Sequence, residues 1–163
     1  MPIDPQTCPS VDPDIDLHNA DQRSELAGTH GAVLAVIAVG GALGALARYG
    51  LTLAWPAPAG AFPWAVFAIN VAGSFLLGAL MVVITEIRPA HPLVRPFLGV
   101  GVLGGFTTFS TYAEDIRALL DPATVIVAAV YLVATLVVAL VATTAALILT
   151  RAAARFIRVA VAS

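Results

Sequence analysis

Four long apolar runs follow the first thirty residues of the chain. They cover about 31–54, 63–85, 97–113 and 123–150, each near the roughly 20 residues that a helix needs to cross a bilayer. Proline stands at the start of runs or in the connections, and none interrupts a run. The pattern predicts an all-α integral membrane protein with four transmembrane helices and short connections.

The third run is unusually polar. Residues 99–112 read G-V-G-V-L-G-G-F-T-T-F-S-T-Y, with four glycines, three threonines and a serine among fourteen residues. Gly104 and Gly105 are poor helix formers, and Thr107 and Thr108 can bond their own backbone. We therefore expect the third helix to break near its middle, around 104–107. Broken backbone at membrane depth lines a polar cavity or is buried in protein, and its freed carbonyls can hold a cation.

The ends of the chain differ from the apolar runs. Residues 1–30 carry six acidic residues, four prolines and one arginine, a composition typical of disorder. We predict a disordered acidic cytoplasmic tail over 1–30, a four-helix transmembrane domain over 31–158 and a C-terminal tail over 159–163.

Composition excludes several kinds of protein. Hydrophobic residues make up 60% of the 163 residues, charged residues 11%, and the mean hydropathy is +0.94. Lysine is absent and the net charge is −2, so no basic face for nucleic acid is expected. The single Cys8 and three scattered histidines offer no disulfide or side-chain metal site. Because no apolar run holds a carboxylate and no histidine stands near Ser74 or Ser110, we do not expect an enzyme.

Arginine counts near the helix ends predict the orientation. Six arginines fall on the side that holds both termini, against one or two on the other side, Arg117 and Arg48. Since arginine favours the cytoplasmic side, both termini are expected in the cytoplasm. The six are Arg23, Arg88, Arg95, Arg151, Arg155 and Arg158.

The first two runs carry candidate contacts between helices. Gly40, Gly44 and Arg48 recur every four residues, and small residues at that spacing let two helices approach closely in lipid. Arg48 is costly in a span, so it is expected to attract anions at a vestibule or to anchor its mouth. The Asn70 amide either joins helices or presents an N–H donor to a solute, and the sequence leaves both open.

Aromatic and hydroxyl side chains mark the last two runs. Phe109 and Tyr112 are three residues apart and share a helical face, and the positive edges of two rings can accept an anion. Tyr131 and Thr135 are one turn apart, and Thr143 continues roughly the same face. They form either a track of hydroxyls or single groups that bond their own backbone.

Three motifs in order carry a family resemblance. The segments G-G-A-L-G-A-L-A-R-Y, I-N-V-A-G-S-F-L-L-G and G-G-F-T-T-F-S-T-Y closely resemble the fluoride channel family known as Fluc or CrcB. The resemblance implies an antiparallel dimer with two fluoride pores at its interface. It also implies a passive fluoride-selective channel in the cell membrane that exports cytoplasmic fluoride and so lowers its intracellular concentration.

The resemblance assigns roles to individual positions. It implies a structural sodium ion at the dimer centre, held by the backbone carbonyls of Gly104 and Thr107, and a vestibule at Arg48. Two positions depart from the family, since Tyr112 stands where a phenylalanine is expected and Ala139 where the hydroxyl track would continue. The pore residues implied are Asn70, Phe109, Ser110, Tyr112, Tyr131 and Thr135.

Three alternatives stay open at this point. The two departures and the arginine bias suggest a heterodimer with an oppositely oriented paralogue. A small four-helix multidrug or cation exporter would need a carboxylate within the membrane, which the runs lack. A non-transporting membrane subunit would explain the glycines but would give Asn70 and Arg48 no purpose.

Overall fold

The computed structural model describes residues 31–87 and 90–162, with side chains described as far as Phe156. The predicted tail over 1–30 lies outside the described residues. The described chain is helical and has no strand. Its α-helices are α1 (Gly31–Ala54), α2 (Trp64–Val82), α3 (Gly104–Phe106), α4 (Ser110–Ala118) and α5 (Val125–Ala162). Two π-helical segments join them, Val83–Ile87 at the end of α2 and Arg95–Leu103 leading into α3.

Local chemistry explains where these helices begin. Pro63 immediately precedes α2, and Pro96 is among the first residues of the second π-helical segment, where a missing N–H costs no helical hydrogen bond. Gly60 turns the chain between α1 and α2 with a φ of 77°, a conformation that side chains other than glycine rarely adopt.

Three helices are long and apolar enough to cross a membrane, namely Gly31–Ala54, Trp64–Ile87 and Val125–Phe156. In the most apolar 18-residue window of each span only 11–22% of the residues are buried, so most of these residues keep part of their surface exposed, as expected for helices in contact with lipid. The third predicted span is divided into shorter pieces. The all-α membrane architecture is thus confirmed with three spanning helices and a divided third run, and passage of that third run across the membrane stays a prediction.

The last helix is longer than its apolar run. α5 has 38 residues, about 57 Å at 1.5 Å per residue, which exceeds a hydrocarbon core of about 30 Å. The sequence prediction ended its span at the first arginine, but the helix continues through 159–162, which we had assigned to the C-terminal tail. At this end the Arg151 guanidinium donates hydrogen bonds to the Glu86 carboxylate at 2.7 and 3.0 Å. This ion pair joins α5 to the end of α2. Because both side chains are exposed, the pair adds little stability.

The break in the third span lies at the end of the predicted range 104–107. Gly104 and Gly105 stay helical, and the chain becomes extended at Thr107, with φ −75° and ψ 158°. The N–H and the hydroxyl of Thr107 both donate to the Leu103 carbonyl, at 3.0 and 2.9 Å, which completes the last turn of α3. The next N–H, of Thr108, leaves the helix for a side chain on α2. Hydroxyl chemistry and an outside partner therefore fix the break, rather than the two glycines.

Backbone packs directly on backbone between α1 and the third span. A Cβ atom on Gly44 would lie 2.7 Å from the Phe106 nitrogen, and one on Gly40 would lie 2.6 Å from the Phe97 carbonyl oxygen. A Cβ on Gly101 would likewise stand 3.0 Å from the Gly40 Cα. These distances leave no room for a methyl group, so the predicted close approach of glycine faces is confirmed.

An aromatic core joins α4 and α5. Tyr131 on α5 is fully buried, and its ring meets Phe62 edge to face at 5.2 Å between centroids. Its hydroxyl donates to the Asp115 carboxylate of α4 at 3.2 Å. Leu119 and Ala128 complete this core. α4 is thereby held beside α5, which positions the break next to a polar stretch of α5.

Candidate functional site

A cavity of about 480 Å³ opens at the break. α2 forms one wall and α5 another, and six residues between Leu103 and Tyr112 line the space between them. None of the fourteen described residues that line the cavity is charged. Their polar groups are an amide, hydroxyls and backbone, so the cavity can bind a small ion only through neutral dipoles.

Asn70 on α2 pairs with the backbone of the break. Its Nδ2 donates to the Thr108 carbonyl at 3.0 Å, and its Oδ1 accepts the Thr108 N–H at 2.9 Å. The amide therefore satisfies both backbone groups of a residue that has left the helix. One amide N–H is not used in this pairing and remains available to a ligand. The structure shows the joining role of Asn70 and is compatible with a donor role as well.

The carbonyls around the break are not equally satisfied. Arg48 Nε donates to the Gly105 carbonyl at 3.2 Å, while Leu103 and Thr108 have the partners named above. Among the described residues, no hydrogen bond reaches the carbonyls of Gly104 and Thr107, and both residues line the cavity. The end of α3 thus presents two carbonyl oxygens without a hydrogen bond, and oxygen is the type of ligand that hard cations prefer. No group of three His, Cys, Asp or Glu side chains suited to a metal occurs in the part of the chain described.

The first turn of α4 begins at the same cavity. Thr108 Oγ1 accepts the Thr111 N–H at 3.2 Å and lies 3.2 Å from the hydroxyls of Ser110 and Thr111. The hydroxyl of Thr108 therefore caps the helix. Three residues separate the positive end of α4 from the negative end of α3. The two ends of the break thus offer different environments. The positive end of α4 suits an anion, and the carbonyls at the end of α3 suit a cation.

Two aromatic rings stand at the cavity. Phe109 is 80% exposed, and its ring centroid lies 6.0 Å from that of Tyr112. The predicted pairing of the two rings is present in the structure. The Tyr112 hydroxyl donates to the Leu132 carbonyl of α5 at 2.8 Å. Tyr112 thus meets the cavity with its ring, while its hydroxyl is engaged elsewhere.

Thr135 carries a buried hydroxyl without a partner. The residue is 6% exposed and lines the cavity, yet its Oγ1 makes no hydrogen bond with the described residues. An unsatisfied buried hydroxyl is costly unless a ligand or water completes it. Thr143, two turns on, instead donates to the carbonyls of Ala139 and Ser74, at 3.0 and 3.3 Å. The candidate track of hydroxyls is therefore limited to Thr135 on this face.

The cavity brings together six of the predicted site residues. Arg48, Ser110 and Tyr131 do not line it: Arg48 contacts the break from α1, Ser110 contacts Thr108, and Tyr131 lies behind the wall. Sequence reasoning named Thr108 as able to bond the backbone but not as a site residue, although a threonine just before a helix is a typical cap. The six are Asn70, Gly104, Thr107, Phe109, Tyr112 and Thr135.

Comparison with known proteins places the chain in a family. A family model described as "CrcB-like protein, Camphor Resistance (CrcB)" matches residues 35–147. A relative from Streptomyces coelicolor, named fluoride-specific ion channel FluC 1, is 56% identical over 114 residues, covering 70% of this chain and 74% of the relative. A relative from Nocardia farcinica, fluoride-specific ion channel FluC 2, is 53% identical over 109 residues, covering 67% and 78%. The chain therefore belongs to the CrcB family, also known as Fluc.

Proposed function

We propose that this protein is a passive fluoride-selective ion channel that exports cytoplasmic fluoride, and not an enzyme. The relatives named above are fluoride-specific ion channels. The observation that carries the proposal is the uncharged cavity at the break, where a buried Thr135 hydroxyl lacks a partner beside the Asn70 amide.

The cavity suits a small, strongly hydrated anion. Fluoride gives up water only to close donors, and the cavity offers the spare N–H of Asn70, the Thr135 hydroxyl and the ring edges of Phe109 and Tyr112. The positive end of α4 adds a fixed dipole. A full positive charge would hold the ion too tightly, because conduction needs exit as well as entry. Arg48 is kept out of the cavity by its bond to Gly105, so we assign it to the vestibule as an anchor.

Efflux from liposomes tests this function. The purified chain, reconstituted alone into vesicles loaded with potassium fluoride, should release fluoride to an ion-selective electrode once valinomycin dissipates the membrane potential. Vesicles loaded with chloride and protein-free vesicles serve as controls. Absence of fluoride release from a chain that is folded and inserted would contradict the proposal.

We also propose a structural sodium ion at the carbonyls of Gly104 and Thr107. Their freedom from hydrogen bonds and their position at the negative end of α3 support it. Such an ion would offset the partial charge of that helix end. Equilibrium binding of radioactive sodium to the purified protein tests it, and competition by potassium at equal concentration would argue against a sodium-selective site.

An antiparallel dimer in the bilayer is proposed as the working form. The cavity is open and Phe109 is 80% exposed, so a second subunit is needed to enclose the ion path. We favour a homodimer; the numbered names of the relatives also fit a heterodimer with an oppositely oriented paralogue. The arginine distribution supports cytoplasmic termini for a chain that inserts in one direction only.

The single cysteine distinguishes these assemblies. In cells that express only this chain, a membrane-impermeant maleimide should label about half of Cys8, relative to detergent-solubilised protein, because an antiparallel homodimer places half of the N-termini outside. Complete or absent labelling would show one orientation and favour the heterodimer. Labelling is read by the mass shift of the purified chain.

Replacing Thr135 with valine should have opposite effects on stability and function. The substitution removes a buried unsatisfied hydroxyl at nearly constant volume, so the unfolding free energy should rise by about 1 kcal/mol. Fluoride efflux should slow by about tenfold, because a donor to the ion is lost. Thermal unfolding and liposome efflux measure the two effects.

The matched control is Thr144→Val on the same helix. Thr144 is exposed and its hydroxyl already donates to the Leu140 carbonyl at 2.9 Å. This variant should change neither the unfolding free energy nor the rate of fluoride efflux by much. If Thr135→Val slowed nothing, the Thr135 hydroxyl would not contact the ion.

A further inference from the structure

The hydroxyl of Tyr112 crosses between two helices. It donates to the Leu132 carbonyl at 2.8 Å, from the first turn of α4 to a residue of α5 twenty positions further along the chain. A phenol has one proton to donate, so a hydroxyl bonded in this way is not a donor to an anion in the cavity. The extra oxygen of Tyr112 therefore belongs to the wall of the cavity and not to its contents.

A second tyrosine makes the reverse connection. Tyr131 of α5 donates to Asp115 of α4, and the two tyrosine rings lie 5.2 Å apart. These two hydrogen bonds hold two successive turns of α4 against α5. One is donated by a tyrosine of α4 and the other by a tyrosine of α5. Tyr131 is fully buried and packs edge to face on Phe62, so it gives the Tyr112 ring a well-packed surface to rest on.

Phe109 depends on this arrangement. It lies at the break just before α4 and is 80% exposed, so little of the described chain restrains its ring. Tyr112 is the aromatic ring that contacts it, at 6.0 Å. When the Tyr112 ring is held in place, the side of the space that this ring forms is fixed. The width of the space between the two rings is then fixed on that side as well.

We propose that Tyr112 is a positioning residue that sets the width of the anion path: its hydroxyl ties the first turn of α4 to Leu132 and holds its ring still beside Phe109. The ring edge meets the anion, and the hydroxyl does not. This inference rests on the proposed channel function. Its consequence is that fluoride passes a fixed ring, which cannot swing aside as the ion moves.

Tyr112→Phe tests the tie. The variant keeps the ring and removes only the bond to Leu132, so the ring gains freedom and fluoride efflux from liposomes should become about fivefold faster, the effect of one neutral hydrogen bond. The thermal unfolding midpoint should fall slightly at the same time. A purely structural role would lower stability without speeding efflux.

Two further variants complete the experiment. Incorporation of 4-aminophenylalanine at position 112 restores a donor at the same ring position and should return efflux to the wild-type rate. Tyr49→Phe makes the same chemical change at an exposed tyrosine whose hydroxyl bonds to no described residue, and should leave the rate unchanged.

The outcomes separate the two proposals. If the wild-type chain releases no fluoride, the channel function itself fails. If the wild type conducts and Tyr112→Phe is slower, the hydroxyl contacts the anion and the positioning proposal is overturned. An unchanged rate in Tyr112→Phe overturns it too, because the tie would then have no effect on the path.

Discussion

Asn70→Asp should reduce fluoride efflux by at least about a hundredfold. The substitution places a negative charge in a cavity whose lining is otherwise uncharged, and two like charges 4 Å apart repel by about 4 kcal/mol at an effective dielectric constant of about 20. It also replaces the amide that donates to the Thr108 carbonyl with an oxygen that repels it. The rate is measured with the fluoride electrode, and assembly by the elution volume on gel filtration.

Asn70→Ala separates charge from lost bonding. The substitution removes both hydrogen bonds to Thr108 but adds no charge. Fluoride efflux should therefore fall less in this variant than in Asn70→Asp. Equal loss in the two variants would mean that the shape of the break, and not the charge, is responsible. Undiminished efflux in Asn70→Asp would contradict the placement of Asn70 in the ion path.

Gly44→Ala should destabilise the protein by about 3 kcal/mol, the upper part of the range for overpacking. The added methyl group would meet the backbone of Val102 and of Phe106, and backbone cannot rotate away as a side chain can. The α1 helix would have to move away from the third span, and Arg48 would lose its reach to Gly105. We expect the thermal unfolding midpoint to fall by about 10 °C and the amount of correctly assembled protein to fall with it.

Gly41→Ala is the matched control for that effect. Gly41 lies three residues away on the same helix, and a Cβ atom there would meet nothing within 4 Å. The same change of residue should therefore be tolerated, and in a helix alanine is even favoured over glycine. Equal loss of stability in both variants would show that helix propensity, and not the contact with the third span, governs the result.

Periodicity and polarity were enough to predict the outline of the fold. The first apolar run coincides with α1, and the glycines at four-residue spacing do face the third span. The break was predicted because glycine is a poor helix former and hydroxyl side chains can bond the backbone, so many such residues together destabilise a lipid-facing helix. The break lies at Thr107, the last position of the predicted range, because Gly104 and Gly105 remain helical. What decides the position is Asn70, which competes for the backbone of Thr108 from 38 residues away.

Other features depend on partners that a linear pattern does not reveal. The π-helical segments Val83–Ile87 and Arg95–Leu103 are only five and nine residues long, so they contain too few turns for hydrophobic periodicity to distinguish them from an α-helix. Tyr131 and Thr135 are one turn apart on α5, yet one hydroxyl bonds to Asp115 and the other has no described partner. The difference between the two hydroxyls depends on the position of α4, which brings Asp115 to Tyr131.

The contact of glycine with glycine between α1 and the third span has a consequence for regulation. Helices that slide or rotate in other proteins do so over side chains that change rotamer, and here Gly40 meets Gly101 without any side chain between them. The direct backbone contact leaves the third span, part of which lines the cavity, little room to slide against α1. We therefore expect the pore to conduct whenever a fluoride gradient exists, so that a cell would control its exposure by the number of channels it makes.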